Sequence, residues 1–289
     1  MLERMSDWAI GLLTKPLKSY ALHIPNDIAA LKRHVHKGDV ILVEGNERIS
    51  ECIKYLTQSS WSHSALYVGD EPIRRNPELK APLVAQFGEE ANFLIVEAIV
   101  EAGVVLSPLS KYRDFNLRVC RPFNLSAADL ADVMDEAIRS VGDTYDLRNV
   151  IDLARYFLPV SLVPARFRRQ ALQFGSGEPT RVICSSIVAS SFHRVKFPIV
   201  PHYEQLPPAT VPPPPPKRKL WPIGSHATTG WLQYGALQLV SPTLVTPRDF
   251  DLSPYFEIVK FNIVEGMRFD YHKILWADDT PPAPVKKGA

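Results

Sequence analysis

Residues 61–70 read WSHSALYVGD, a polar start followed by an apolar run that closes at a glycine. An apolar run of this length, ended by a turn residue, is typical of a β-strand. Alternation of side chains along a strand places His63 on one face together with Ala65 and Tyr67. A histidine therefore stands at the start of an otherwise apolar strand.

Further stretches predict strands on both sides of this one. They are KGDVILVEG at 37–45, FLIVEAIV at 93–100, GVVLSPL at 103–109, LRVCRP at 117–122, LVTPRDF at 244–250, YFEIVKFNIVEG at 255–266 and MRFDYHKILWA at 267–277. No helix separates the strands at 93–100, 103–109 and 117–122, which predicts an antiparallel meander. The stretch 70–90 is long for a hairpin connection and has the character of an insertion.

Apolar residues at helical spacing predict a helix at 2–19, and beyond it four stretches predict helices, at 47–57, 126–142, 146–157 and 181–195. In the second, Ser126 is a capping residue with Asp129 three positions later, and Gly142 provides the stop. The last, RVICSSIVASSFHRV, carries apolar residues on one face and places Cys184 near its first turn.

Cys184 is the candidate nucleophile, because the positive end of a helix and a neighbouring imidazole both favour a thiolate. His63 is the candidate imidazole. Glu97 is the only charge within FLIVEAIV, and a buried carboxylate needs a partner such as a histidine. Together they suggest a nucleophile, a base and a residue that orients the base. Cys52 and Cys120 have no histidine nearby in sequence and are interpreted as structural thiols.

The order of motifs resembles a known family. GDVILVEG, WSHSALYVG, IVEA with VVLSPL, VGDTYD and ICSSIV follow one another as in the YiiX/YebB-like branch of the permuted NlpC-type papain-like cysteine hydrolases, and TPRDFDLSPYFEIV at 246–259 resembles the family's closing strand. In that branch the histidine precedes the cysteine. The resemblance implies an α+β, permuted papain-like fold, in which a small antiparallel β-barrel or sheet packs on the helix that carries the cysteine.

The same resemblance implies roles for single residues. Cys184 would be the nucleophile, His63 the general base, Glu97 the orienting residue, and Tyr145 a contact to substrate or oxyanion. Glu101 is a rival third member of the triad. Where relatives commonly have a serine and then a glutamate after the cysteine, this chain has Ser185 and Ser186, so a role that depends on that glutamate is not carried over.

The chain divides into three predicted parts: a helical extension at 1–35, a catalytic domain at 36–260 with a proline-rich insertion at 198–222, and a C-terminal strand with a disordered tail at 261–289. Within the insertion, five prolines at 212–216 precede KRK. Such a segment is extended and can act as a spacer or as a docking site for a proline-binding partner.

Composition limits the partners. With 33 Lys and Arg against 31 Asp and Glu, the net charge is +2, which does not favour nucleic acid. No cofactor or metal site is predicted, because His34 with His36 and His193 with His202 lack a cluster at zinc spacing. No secretory signal or membrane span is recognised, which predicts a cytoplasmic protein. Residues 1–20, with Trp8 among basic residues, can also contact a membrane surface.

The sequence therefore predicts a cysteine hydrolase that forms an acyl thioester on an amide, with a small peptide of the cell-wall type as substrate. Two alternatives stay open. One is a membrane-associated lipid acyl hydrolase or acyltransferase. The other is a non-catalytic binding module that uses the proline-rich segment.

Overall fold

The computed structural model describes residues 15, 26–100, 102–143, 183–205 and 235–260. The strands are β1 Val40–Val43, β2 His63–Gly69, β3 Leu94–Ile99, β4 Gly103–Pro108, β5 Leu117–Pro122, β6 Pro201–Gln205, β7 Gly235–Leu239 and β8 Phe256–Val259. The α-helices are α1 Ile28–His34, α2 Arg48–Thr57, α3 Glu71–Arg75, α4 Lys80–Phe87, α5 Ala127–Arg139, α6 Ile183–Arg194 and α7 Pro247–Leu252. Short 3-10 turns cover Pro77–Leu79, Gly88–Asn92, Leu109–Tyr112 and Pro242–Leu244.

Six strands form one antiparallel sheet in the order β4-β3-β2-β1-β5-β8. Within the described residues the sheet is open, with β4 and β8 at its edges, so the sheet alternative holds and the closed barrel is wrong. The meander prediction is also wrong at β5, which pairs with β1 rather than with β4. Local periodicity identifies a strand, whereas its neighbour is chosen by the packing of distant segments.

Both faces of the sheet are buried. On the first face, Leu42, Leu66 and Val96 pack with residues of α5 and α6. On the second face, Ile41, Ala65 and Ile95 pack with Ile28 and Leu31 of α1. All four residues of β1 are consequently buried, as expected for a strand covered on both sides.

Local signals account for most of the helices. The Ser126 hydroxyl accepts the Asp129 N–H at the start of α5, and Gly142 in the turn after α5 has φ +97°, a left-handed conformation that suits glycine. The connection 70–90 contains α3, the 3-10 turn Pro77–Leu79, α4 and the start of the 3-10 turn Gly88–Asn92. It returns the chain so that β3 pairs beside β2.

The predicted strand at 244–250 is wrong, because the chain forms α7 there. Thr246 and Asp249 make a reciprocal capping box, and Pro247 occupies the first turn. Proline has no N–H to donate to a strand ladder but suits the first position of a helix. The helix buries Phe250.

Two strands lie apart from the main sheet, since β6 and β7 pair antiparallel with each other. The strand β6 falls inside the predicted insertion 198–222, whereas the five prolines lie outside the described residues. The predicted helix at 146–157 and the predicted strand at 267–277 also lie outside them. Among the helices of the described part, none has the length and apolar character that crossing a bilayer requires.

Candidate active site

His63 and Glu97 meet on the second face of the sheet. In the register of β2 with β3, Leu66 lies opposite Val96, so Glu97 falls opposite Ala65 and on the same face as His63. The His63 Nε2 lies 2.8 Å from the Glu97 Oε2. The Glu97 side chain is 0% exposed and that of His63 is 17% exposed. The carboxylate is thus enclosed, whereas the imidazole lies at the border of the core.

Two further residues hold the same carboxylate. The Lys111 Nζ donates to the Glu97 Oε1 at 2.6 Å, and the Tyr112 hydroxyl donates to Oε2 in a short hydrogen bond. The Tyr112 ring also lies beside the His63 ring, with centroids 5.9 Å apart. Lys111 and Tyr112 belong to the 3-10 turn after β4. Sequence reasoning missed both, and only the demand of a buried carboxylate for partners hinted at them.

Cys184 approaches from the other side of the sheet. Helix α6 packs on the first face through Val188, Ala189 and Phe192. Its first turn lies level with the start of β2, since the Cys184 Sγ is 3.9 Å from the Ser62 carbonyl oxygen. Because His63 is the first residue of β2, it lies at the end of the sheet that the thiol approaches, and the charge of Cys184 acts to raise the pKa of His63. With Nε2 directed at Glu97, Nδ1 is the nitrogen left for sulfur.

A close backbone approach keeps this end of the sheet in place. The Gly45 N–H donates to the Ser62 Oγ at 2.8 Å. A Cβ on Gly45 would lie 2.2 Å from the Ser50 Oγ and 2.8 Å from the Ser62 Oγ. Only glycine therefore allows the residue before His63 to sit against the chain that leaves β1.

The helix start contributes a further group. The Cys184 N–H lies in the first turn of α6, where N–H groups have no carbonyl partner within the helix. The Ser185 Oγ–H donates to the Val245 carbonyl oxygen at 2.5 Å and ties this turn to the segment before α7. The Ser185 hydrogen bond thus helps to fix the helix start, and the Cys184 N–H is a donor that an oxyanion could use.

The charges of the site shift the pKa values of its members. Burial acts to lower the pKa of His63, but the charge and hydrogen bond of Cys184 and those of Glu97 raise it to about 10. Burial acts to raise the pKa of Glu97, yet its contacts with His63 and Lys111 hold that pKa well below the usual 4.5. Burial and the Glu97 charge raise the pKa of Tyr112 well above 10. At neutral pH the site therefore favours an imidazolium between a sulfur and a carboxylate.

Other residues predicted for the site lie elsewhere or outside the described part. Tyr145 and Glu101 fall outside the described residues, so their predicted roles stay predictions. Cys120 is a free thiol buried in β5, and burial, with the charge of Asp251, raises its pKa to about 12. Cys52 belongs to α2.

Two other histidines of the described part, His34 and His193, have contacts of their own. The His34 Nδ1 lies 2.7 Å from the Ala30 carbonyl oxygen within α1, and burial lowers the pKa of His193, at the end of α6. Among the described residues, no three His, Cys, Asp or Glu side chains are grouped so that they could hold a metal ion.

Comparison with known proteins adds a family match. Residues 34–158 match the model described as "Permuted papain-like amidase enzyme, YaeF/YiiX, C92 family". The matched segment contains His63, Glu97, Lys111 and Tyr112 and ends before Cys184. The match confirms the predicted α+β, permuted papain-like class.

Among solved structures, the chain is similar to the metalloprotein yiiX from Escherichia coli O157:H7. It is similar to this chain at 16% sequence identity with a TM-score of 0.41, over 79% of this chain and 98% of that chain.

Proposed function

Since residues 34–158 match the YaeF/YiiX model of permuted papain-like amidases, we propose that this chain is a cysteine amidase of that family. Cys184 is the nucleophile, His63 the general acid and base, and Glu97 the orienting residue. One observation carries the proposal: His63 is paired with the buried Glu97 at 2.8 Å, at the end of β2 where the Cys184 Sγ lies 3.9 Å from the carbonyl oxygen of the preceding residue, Ser62. A nucleophile, a base and an orienter in mutual contact are what acyl transfer requires.

The reaction follows from these contacts. The Cys184 thiolate attacks the amide carbon, and the oxygen of the tetrahedral intermediate accepts a hydrogen bond from the Cys184 N–H. His63 gives its proton to the leaving nitrogen, the C–N bond breaks, and an acyl thioester with a free amine results. His63 then takes a proton from water, the hydroxide displaces sulfur, and a carboxylic acid leaves with the thiolate restored. Glu97 keeps the ring oriented throughout.

The family description names amidases, and we propose a small peptide of the cell-wall type as the substrate. This choice rests on the resemblance to NlpC-type enzymes. An acyl ester of a lipid is the alternative substrate, and both would form the same thioester on Cys184. Tyr145 would contact the substrate or the oxyanion.

The test is the rate at which iodoacetamide alkylates Cys184 between pH 5 and 9, followed by peptide mass spectrometry. A free thiol with a pKa of about 8.5 is only ~1% thiolate at pH 6.5. We expect wild-type Cys184 to react there at least ~10-fold faster than in His63→Ala, because imidazolium stabilises the thiolate. The exposed His36 gives the matched control His36→Ala, and Cys120 is an internal unreactive thiol.

Turnover then separates the alternatives. A panel of short peptide anilides and long-chain acyl esters is incubated with wild type and with Cys184→Ala. Release of amine by wild type alone supports the amidase, and cleavage of esters alone favours the lipid alternative. If Cys184 is not alkylated, or if its alkylation rate is the same in wild type and in His63→Ala, the proposed enzyme activity is wrong. A binding module that recruits a partner through residues 207–219 is then favoured.

A further inference from the structure

Glu97 has more partners than orientation of a histidine requires. Its Oε2 accepts hydrogen bonds from His63 and from the Tyr112 hydroxyl. Its Oε1 accepts the Lys111 ammonium at 2.6 Å. The two oxygens therefore have separate tasks, because Oε2 holds the catalytic ring and Oε1 holds a cation.

The Lys111 ammonium balances the net charge of the site. In the resting state of a cysteine hydrolase the thiolate, the imidazolium and Glu97 sum to one net negative charge. Glu97 is 0% exposed and Cys184 is buried, and an uncompensated charge in such surroundings is costly. Lys111 brings the sum to zero.

We propose that Lys111 is a positioning residue whose ammonium neutralises Glu97, so that the thiolate of Cys184 and the imidazolium of His63 form the stable resting state. The inference rests on the proposed function and extends it to a residue that touches no substrate. Lys111 acts through Glu97 and not on the reacting atoms.

The local backbone is built to hold this lysine. The Leu109 N–H donates to the Phe93 carbonyl oxygen at 2.8 Å, and the Leu109 side chain is fully buried on the second face. The Asn26 Nδ2 donates to the Arg113 carbonyl oxygen at 3.0 Å, just beyond the turn. The Lys111 side chain is 36% exposed, so its head reaches Glu97 from the border of the core and brings its charge to the carboxylate without being fully desolvated itself.

Among the described residues, five charged or titratable groups act on Glu97 or on its partners. His63 and Lys111 act on it directly, Tyr112 donates to it, and Cys184 acts through His63. Glu47, at the start of α2, acts on Tyr112 by its charge. Lys111 is the permanent cation of this set, since the charge of His63 is the one that moves during catalysis.

The test is the pH profile of Cys184 alkylation in Lys111→Met, Lys111→Arg and Lys37→Met. Lys37 is a matched control, because its side chain is 30% exposed and is paired with Asp70 and Glu71 near Gly69, at the other end of β2 from His63. We expect Lys111→Met to move the midpoint upward by about one pH unit, which lowers the rate at pH 6.5 roughly tenfold. Lys111→Arg restores the profile and Lys37→Met leaves it unchanged.

The alkylation profiles test the inference on Lys111 and the proposed function separately. If Lys111→Met keeps the wild-type profile while reactivity still depends on His63, the inference on Lys111 is wrong and the proposed function stands. If wild-type Cys184 is inert at every pH, the proposed function itself fails. If the near-UV circular dichroism of Lys111→Met shows that this variant is not folded, the pH profile is measured on Lys111→Gln instead. This variant keeps a hydrogen-bond donor and removes the charge. A Lys111→Gln profile that coincides with wild type overturns the inference, and an upward shift supports it.

Discussion

Glu97 links the stability of the chain to its chemistry. The carboxylate is buried in the middle of β3 and is held by His63, Lys111 and Tyr112. Its pKa lies below the usual 4.5 because the contacts with His63 and Lys111 outweigh burial. A carboxyl group whose pKa is lowered on folding stabilises the fold above its unfolded pKa, and that contribution is lost as the pH falls.

We therefore expect Glu97→Gln to lower the free energy of unfolding at pH 6 by about 1–3 kcal/mol, because charge-assisted hydrogen bonds are lost. The deficit should shrink as the pH is lowered from 5 to 3, since the wild type loses the same contribution there. Urea denaturation across this pH range measures it.

The control for this series is Glu78→Gln on the exposed turn Pro77–Leu79. Its curve should run parallel to that of the wild type. If the Glu97→Gln curve also ran parallel, Glu97 would not be titrating with a lowered pKa.

At the scale of elements, α6 combines two tasks. Its first turn carries Cys184, and two turns later Phe192 lies fully buried. The Phe192 ring lies 5.5 Å from that of Phe197 and 5.3 Å from that of Phe256 in β8. The packing of the second half of the helix therefore fixes where the thiol lies against the start of β2.

Phe192→Ala should cost about 3–5 kcal/mol of unfolding free energy, because a large buried ring is replaced by a cavity. The exposed Phe123 supplies the control Phe123→Ala, for which we expect a change within about 0.5 kcal/mol. Chemical denaturation measures both variants. Equal effects of the two changes would show that α6 is not anchored by this aromatic cluster.

At the scale of the whole molecule, the site lies at one end of the sheet and takes residues from both of its faces. His63 and Glu97 belong to the face covered by α1, whereas Cys184 belongs to the helix on the opposite face. His63 lies at the end of β2, next to Ser62, whose carbonyl oxygen is 3.9 Å from the Cys184 Sγ. The pairing of β2 with β3 and the packing of α6 on the sheet therefore set where the three side chains lie.

Membrane contact by residues 1–20 stays a prediction, because only Lys15 of this segment is described. The cytoplasmic location also stays a prediction. If the segment forms an interfacial helix, the full chain sediments with anionic vesicles and Trp8→Ala weakens sedimentation. Deleting residues 1–20 should abolish it while the alkylation rate of Cys184 stays unchanged. Sedimentation that survives the deletion would contradict the interfacial helix.

The strands and helices of the core could be read from the chain because each depends on a local pattern. Strand β2, helix α2 and the capped helix α5 follow the predicted stretches closely. For α7 the apolar residues of the stretch 244–250 predict a strand, whereas the capping signal of Thr246, Pro247 and Asp249 is the one that the fold follows.

The candidate triad is accessible from the sequence for a similar reason. A lone charge in an apolar strand, a histidine at a strand start and a cysteine at a helix start are each local features. Their order along the chain is also a property of the chain. The family match over 34–158 includes His63 and Glu97 and ends before Cys184.

Other features depend on contacts between distant segments. The placement of β5 beside β1, the open form of the sheet and the role of Lys111 and Tyr112 as partners of Glu97 leave no local pattern. The sequence predicts that Glu97 needs partners, because a charged residue stands within an apolar strand. Which residues meet that demand depends on the turn after β4, and that turn is positioned only when the sheet and α1 have packed together.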